Sequence, residues 1–105
     1  SYAVLVADNG KMLTNTGASG TIIFTLPVAV IGLHYYFSVG AAQILNINPN
    51  GSETISLPST GIPLASGISL EANSIGESIH IGCAVAGNWI TLGGNTPTGI
   101  WIAGT

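Results

Sequence analysis

The side chains able to do acid–base, nucleophilic or metal chemistry are few. They are His34, His80, Cys83, Lys11, Asp8, Glu53, Glu71 and Glu77, together with ten serines. A Ser-His-Asp hydrolase would need one serine singled out, and the chain has no Gly-x-Ser-x-Gly elbow to do so. Two histidines and a glutamate could hold a metal, but neither His-x-His nor His-x₃-His spacing occurs, so no metal or cofactor is expected. Glycoside hydrolysis needs two carboxylates flanking one bond. Glu53 follows a turn, and Glu71 and Glu77 flank Asn73-Ser74-Ile75-Gly76, which reads as ordinary solvated charge. Cys83 lies among Ile79, Ile81 and Val85 and is expected as a buried thiol with no base on its face. No phosphate-binding glycine loop or dinucleotide fingerprint occurs. The expectation is a protein that is not an enzyme.

Aromatic rings with Asn and Thr around them suit an uncharged sugar. Tyr36, Trp89 and Trp101 are the candidate carbohydrate contacts, with Tyr35 beside them. The simpler alternative makes Trp89 core or interface and Trp101 the anchor of the last strand.

These residues sit in a chain of 105 residues and 10.6 kDa, expected to form a single β-sandwich domain over residues 1–105. The apolar share is 47 %, against 5 % charged, where a soluble domain has about 25 % charged. One lysine and no arginine cannot make the basic footprint that phosphates require, so no nucleic-acid partner is expected. Attraction to an anionic membrane fails for the same reason. The longest apolar stretch, around Leu26 to Leu33, is broken by Pro27 and Gly32, and spanning takes about 20 residues. Ser1-Tyr2-Ala3-Val4 does not read as a signal peptide. A single cysteine excludes an internal disulfide. Ten Ser, ten Thr, eight Asn and fifteen Gly supply an uncharged polar surface, which resists association less than a charged one. Much of that surface is therefore expected to be covered by copies of the chain or by a partner.

Short runs of Ile, Val, Thr and aromatics alternate with Gly, Pro and Asn clusters, the pattern of an all-β protein. Strands are expected at Tyr2–Ala7, Lys11–Asn15, Thr21–Leu26, His34–Val39, Gln43–Asn48, Glu53–Leu57, Ile68–Ala72, Ser78–Val85, Trp89–Leu92 and Gly99–Ile102. Period-two alternation places Ile22, Phe24 and Leu26 on one face, Tyr35, Phe37 and Val39 on another, and Ile79, Ile81, Cys83 and Val85 on a third. The histidines fall on the opposite, solvent faces. The expected core is Ile22, Phe24, Leu26, Phe37, Leu45, Ile47, Ile55, Leu57, Ile79, Ile81, Cys83 and Leu92. Asn48-Pro49-Asn50-Gly51 is expected to close a hairpin between Gln43–Asn48 and Glu53–Leu57, and this reading is preferred to a glycosylation sequon at Asn50-Gly51-Ser52. Asp8-Asn9-Gly10 is a second turn. Nine or ten short strands in one domain predict an antiparallel β-sandwich or jelly-roll-like fold. Ile23, Tyr36 and Ile44 lie on the second faces of strands whose first face is already apolar. They are the candidate oligomer or partner interface.

The segment Ala7-Asp8-Asn9-Gly10-Lys11, followed by Asn15-Thr16-Gly17-Ala18-Ser19-Gly20-Thr21-Ile22-Ile23-Phe24-Thr25-Leu26-Pro27, resembles a β-domain of tailed-phage structural proteins. The likeness continues through Gly32-Leu33 with Phe37, Asn50-Gly51-Ser52-Glu53-Thr54-Ile55, Ile75-Gly76-Glu77-Ser78-Ile79, Trp89 and Gly99-Ile100-Trp101. Such domains occur in small head-decoration proteins and in tail fibres and spikes. The resemblance implies a virion part, typically a homotrimer, with no catalytic residues to carry over. A head decoration or cement protein would contact major capsid protein or other virion proteins; a fibre or spike domain would bind host glycan. Ser1 is a small residue of the kind left after removal of an initiator methionine, and so short a chain is expected to be a whole protein, which favours the capsid role.

Overall fold

At nearly every turn the chain crosses from one β-sheet to the other. The computed structural model describes residues 1–104 and contains ten strands: β1 (Tyr2–Ala3), β2 (Met12–Thr14), β3 (Ile22–Thr25), β4 (His34–Ser38), β5 (Leu45–Asn48), β6 (Thr54–Ile55), β7 (Leu70–Ala72), β8 (Ser78–Val85), β9 (Asn88–Gly94) and β10 (Ile102–Ala103). One sheet has the order β1-β3-β5-β7-β10 and the other β2-β4-β8-β9-β6. Only β8 and β9 are consecutive in sequence and adjacent in one sheet. Successive arches stack in the same sense, so β1, β3 and β5 run parallel, as do β2 and β4. β6 also joins β9 in parallel. The remaining pairs, β4–β8, β5–β7, β7–β10 and β8–β9, are antiparallel. The fold is thus an all-β sandwich of ten short strands, with mixed sheets where wholly antiparallel ones were expected.

The turn at Asn48-Pro49-Asn50-Gly51 forms, with Gly51 at φ 53° and the Glu53 N–H bonded to the Asn50 carbonyl at 3.0 Å. It does not close a hairpin. β5 and β6 belong to different sheets, and the segment 49–53 bridges the roughly 10 Å between packed sheets. Crossing lets Leu45 and Ile47 meet Ile55 from opposite sides of one core. Most strands are shorter than expected, β1 and β10 for reasons visible in the chain. After Ala3 the chain enters a 3₁₀ turn at Val6–Asp8, where the Asp8 carboxylate accepts the Leu5 N–H at 3.0 Å. Near the C-terminus, residues 97–100 turn before β10 begins at Ile102.

Phe24, Leu26, Phe37, Leu45, Ile47, Ile55, Ile79, Ile81 and Cys83 are buried together, and Ile22 and Leu57 pack half-buried against them. Tyr35, Val39, Leu70, Trp89 and Trp101 complete the centre. Leu92 is not core. Trp89 sets the inward phase of β9, so Leu92, three residues on, points outward and lies over Gly82. Val85 also departs from its expected face: register shifts interrupt β8 after His80 and after Gly82, and the strand end carries Val85 into solvent.

Candidate functional site

The two histidines, 46 positions apart in sequence, meet on the outer face of the second sheet. β4 and β8 pair with His34 opposite Gly82 and Tyr36 opposite His80, which makes the histidines diagonal neighbours. His34 Nδ1 and His80 Nε2 are 2.9 Å apart, and one of them carries the shared proton. The Tyr36 ring stacks on His80 at 3.8 Å between centroids and 12° between planes. Burial first, and then the neighbouring His34, holds the His80 imidazole below the usual histidine range. Beside this cluster is a cleft of about 350 Å³ walled by Met12, Tyr36 and His80, with the Ser38 and Ser78 hydroxyls at one side and Gly93 and Gly94 as a floor without side chains.

Ile23 and Ile44 come together on the outer face of the other sheet. They border a hollow of about 480 Å³ with Thr21, Asn46, Asn48, Ser69 and Glu71. Inside it Asn46 donates to Ser69 Oγ at 2.8 Å and to Glu71 Oε2 at 3.3 Å. The three expected interface residues therefore divide, with Ile23 and Ile44 on one sheet and Tyr36 on the other. Of the expected carbohydrate contacts only Tyr36 reaches solvent, at 37 % exposure. Trp89 and Trp101 are 0 % and 1 % exposed and present no ring face to a ligand. The Trp101 indole N–H donates to the Ser78 carbonyl at 3.0 Å, which ties the last strand down; the buried Trp89 N–H has no acceptor.

A third feature is the end of the sandwich made by the β1–β2, β3–β4 and β5–β6 arches and the β8–β9 turn. Leu5, Val6, Val28, Val30, Ile31 and Val85 all project there, each more than half exposed. The loops carrying them are firmly tied. Gly32 N–H bonds the Cys83 carbonyl at 2.9 Å, Gly87 N–H the Ala29 carbonyl at 3.1 Å, and Ala29 N–H the Glu53 carboxylate at 2.9 Å. Asp8 accepts from the Tyr2 hydroxyl at 2.7 Å and pairs with Lys11 at 3.2 Å. The Tyr2 hydrogen bond, followed by the Leu5 N–H, holds the Asp8 carboxyl below the ordinary range.

The acids are dispersed. Glu53 is spent on the apolar end, Glu71 lies in the hollow of the first sheet, and Glu77 accepts the Ser74 N–H at the opposite end. Burial raises the Cys83 thiol, whose Sγ donates to the Val85 carbonyl at 3.1 Å. Among the described residues no three of His, Cys, Asp and Glu gather in one place. Sequence reasoning placed the histidines on solvent faces but missed their union, which depends on the β4–β8 register. It read the apolar run Leu26 to Leu33 only against a membrane span, although Pro27 and Gly32 within that run already mark an exposed loop. No family model, curated protein or solved structure matches the chain.

Proposed function

We propose that the protein is a structural component of a phage particle, a head decoration or cement protein that assembles as a homotrimer on the major capsid protein and performs no catalysis. The observation that carries this reading is the apolar end. Six exposed aliphatic side chains stand on hydrogen-bonded loops, in a chain with only five charged residues. Exposed apolar surface of this kind marks a contact surface, and burying it gains roughly 25 cal/mol per Å². Nearly charge-free contacts also avoid the desolvation cost of ion pairs.

The split of the interface residues supports a ring. A cyclic trimer is heterologous, so each subunit needs two different patches. Ile23 and Ile44 on one sheet and Tyr36 on the other offer such a pair. Three subunits arranged this way can present their apolar ends side by side to the capsid. The resemblance to phage β-domains points the same way. An image reconstruction of the intact virion tests the reading: it predicts density for three copies seated by the loops of Leu5, Val30 and Val85. Density at the tip of a tail fibre would contradict it.

One observation favours a second reading, a fibre or spike domain that binds host glycan. The cleft beside Tyr36 combines an aromatic edge, two serine hydroxyls and an open glycine floor. One face of Tyr36 is already covered by His80, so a sugar would be left the other face or the edge of the ring. Glycan-array binding that is lost on Tyr36→Ala would move the assignment to this reading.

A further inference from the structure

We propose that His34 and His80 form a two-imidazole chelate for a first-row divalent transition ion of the zinc, nickel or copper type. The pair adjoins the Tyr36 patch of the assembly proposed above, and the case for it rests on its own geometry. His34 Nδ1 and His80 Nε2 face each other at 2.9 Å. Two imidazole nitrogens bound to one tetrahedral ion at about 2.0–2.1 Å lie roughly 3.3 Å apart. To admit the ion the rings must part by about 0.4 Å and each must swing so that its lone pair aims roughly 35° off the line between the two nitrogens.

Both rings are held for this. Tyr36 stacks flat on His80, and the His34 ring meets the His80 ring edge-on, with centroids 5.1 Å apart. The His34 backbone is fixed from the β1–β2 loop: its N–H donates to Asn9 Oδ1 at 2.8 Å, and its carbonyl accepts the Gly10 N–H at 2.7 Å. Gly10 holds φ 80°, a conformation that favours glycine, where its N–H meets the His34 carbonyl; a Cβ there would make only ordinary contact with His34 Cε1. Across the strand pair, Gly82 opposite His34 adds no side chain of its own beside the ring.

The proton balance is simple. In the metal-free pair one of the two facing nitrogens carries a hydrogen bonded to the other. On binding, that proton transfers to the outer nitrogen of the same ring. Both rings stay neutral, both facing lone pairs point at the ion, and His34 Nε2 and His80 Nδ1 carry the hydrogens. Neutral imidazole is the ligand these ions take, in the affinity order copper above nickel and zinc. Two protein ligands leave the remaining positions to water or to a donor from outside the chain.

The test is a titration of the full chain with zinc chloride and, separately, nickel chloride. Calorimetry supplies the stoichiometry and nitrogen-15 spectra of the imidazoles locate the site. The expected result is one ion per chain, with shifts centred on the His34 and His80 rings. His34→Gln and His80→Gln should each weaken binding on the order of 100-fold, the usual gain from a second tethered contact. Tyr36→Phe should retain binding. Saturable binding that both Gln variants leave unchanged would overturn the proposal, as would no binding at millimolar metal. The imidazole spectra of the unmodified protein decide the matter even where a variant fails to fold: ring signals undisturbed by zinc would contradict the chelate.

Discussion

The two ends of the sandwich are braced alike and dressed differently. At the end made by the β2–β3, β4–β5, β7–β8 and β9–β10 connections, Asn15 is buried; its Oδ1 accepts the Gly40 and Ala41 N–H groups, and its amide donates to the Gln43 carbonyl at 3.1 Å. Asn95 and Glu77 tie the neighbouring turns through the Ser78 and Ser74 N–H groups. The outward side chains there include Thr14, Thr16, Ser19, Thr21, Asn73, Thr96 and Thr98, with Ile75, Ile62 and Ile102 as exposed apolar residues among or beside them. At the opposite end, Asp8, Asn9 and Glu53 do the corresponding internal work, yet beside exposed Lys11, Asn50 and Ser52 stand six exposed Leu, Val and Ile side chains. Exposed aliphatics on loose loops would signal poor folding. On loops held this well they fit the contact surface proposed above.

Four substitutions or conditions test whether the ends differ only in their outward chemistry. The largest effect is expected where neither end is favoured. Phe37→Ala empties the shared core and should cost about 3–5 kcal/mol in denaturant unfolding, with both ends losing amide protection together. Loss confined to one end would mean that the two halves of the sandwich unfold separately. Asn15→Ala comes next. It strands two backbone N–H groups at the polar end and should cost about 2 kcal/mol, with faster exchange at Gly40 and Ala41.

The counterpart at the apolar end is Glu53→Gln, which keeps an acceptor for Ala29 but removes its charge. It should cost about 1 kcal/mol and speed exchange at Ala29, leaving Gly40 and Ala41 as they were. Acid should produce the smallest change. The Asp8 carboxyl ionises more readily in the fold than in the unfolded chain, because the Tyr2 hydroxyl and the Leu5 N–H favour its charged form. Its contribution is therefore complete above the ordinary carboxylate value of 3.8 and is lost as pH falls through the lower, folded value. A pH series of thermal midpoints should show this loss in the parent and a shallower one in Asp8→Asn.

Much of this architecture is legible in the residues themselves. Alternation in Thr21–Leu26, His34–Val39 and Ser78–Val85 picks out strands and most of the core because the pleat has period two and one face is dry. Alternation says nothing about which sheet a strand joins. The Asn-Pro-Asn-Gly turn specifies a reversal of backbone direction, and a hairpin and an arch both begin with one; only the burial of Ile55 against Leu45 and Ile47 separates them. The histidine pair was illegible for the same reason, since its geometry depends on a β4–β8 register linking positions 46 apart. Leu92 faces outward because Trp89, an odd three positions earlier on the strand, faces in, and the expected core held no inward Trp89 to fix that phase.

The central claim of the proposed assembly is that patches on the two sheet faces are covered by copies of the same chain, which leaves the apolar ends for the capsid. Sedimentation equilibrium at low micromolar protein, in low and in high salt, tests it most directly. The account predicts a single species of three times the 10.6 kDa chain mass, undiminished by salt because the contacts are uncharged. A stable, soluble species of 10.6 kDa under both conditions would contradict it.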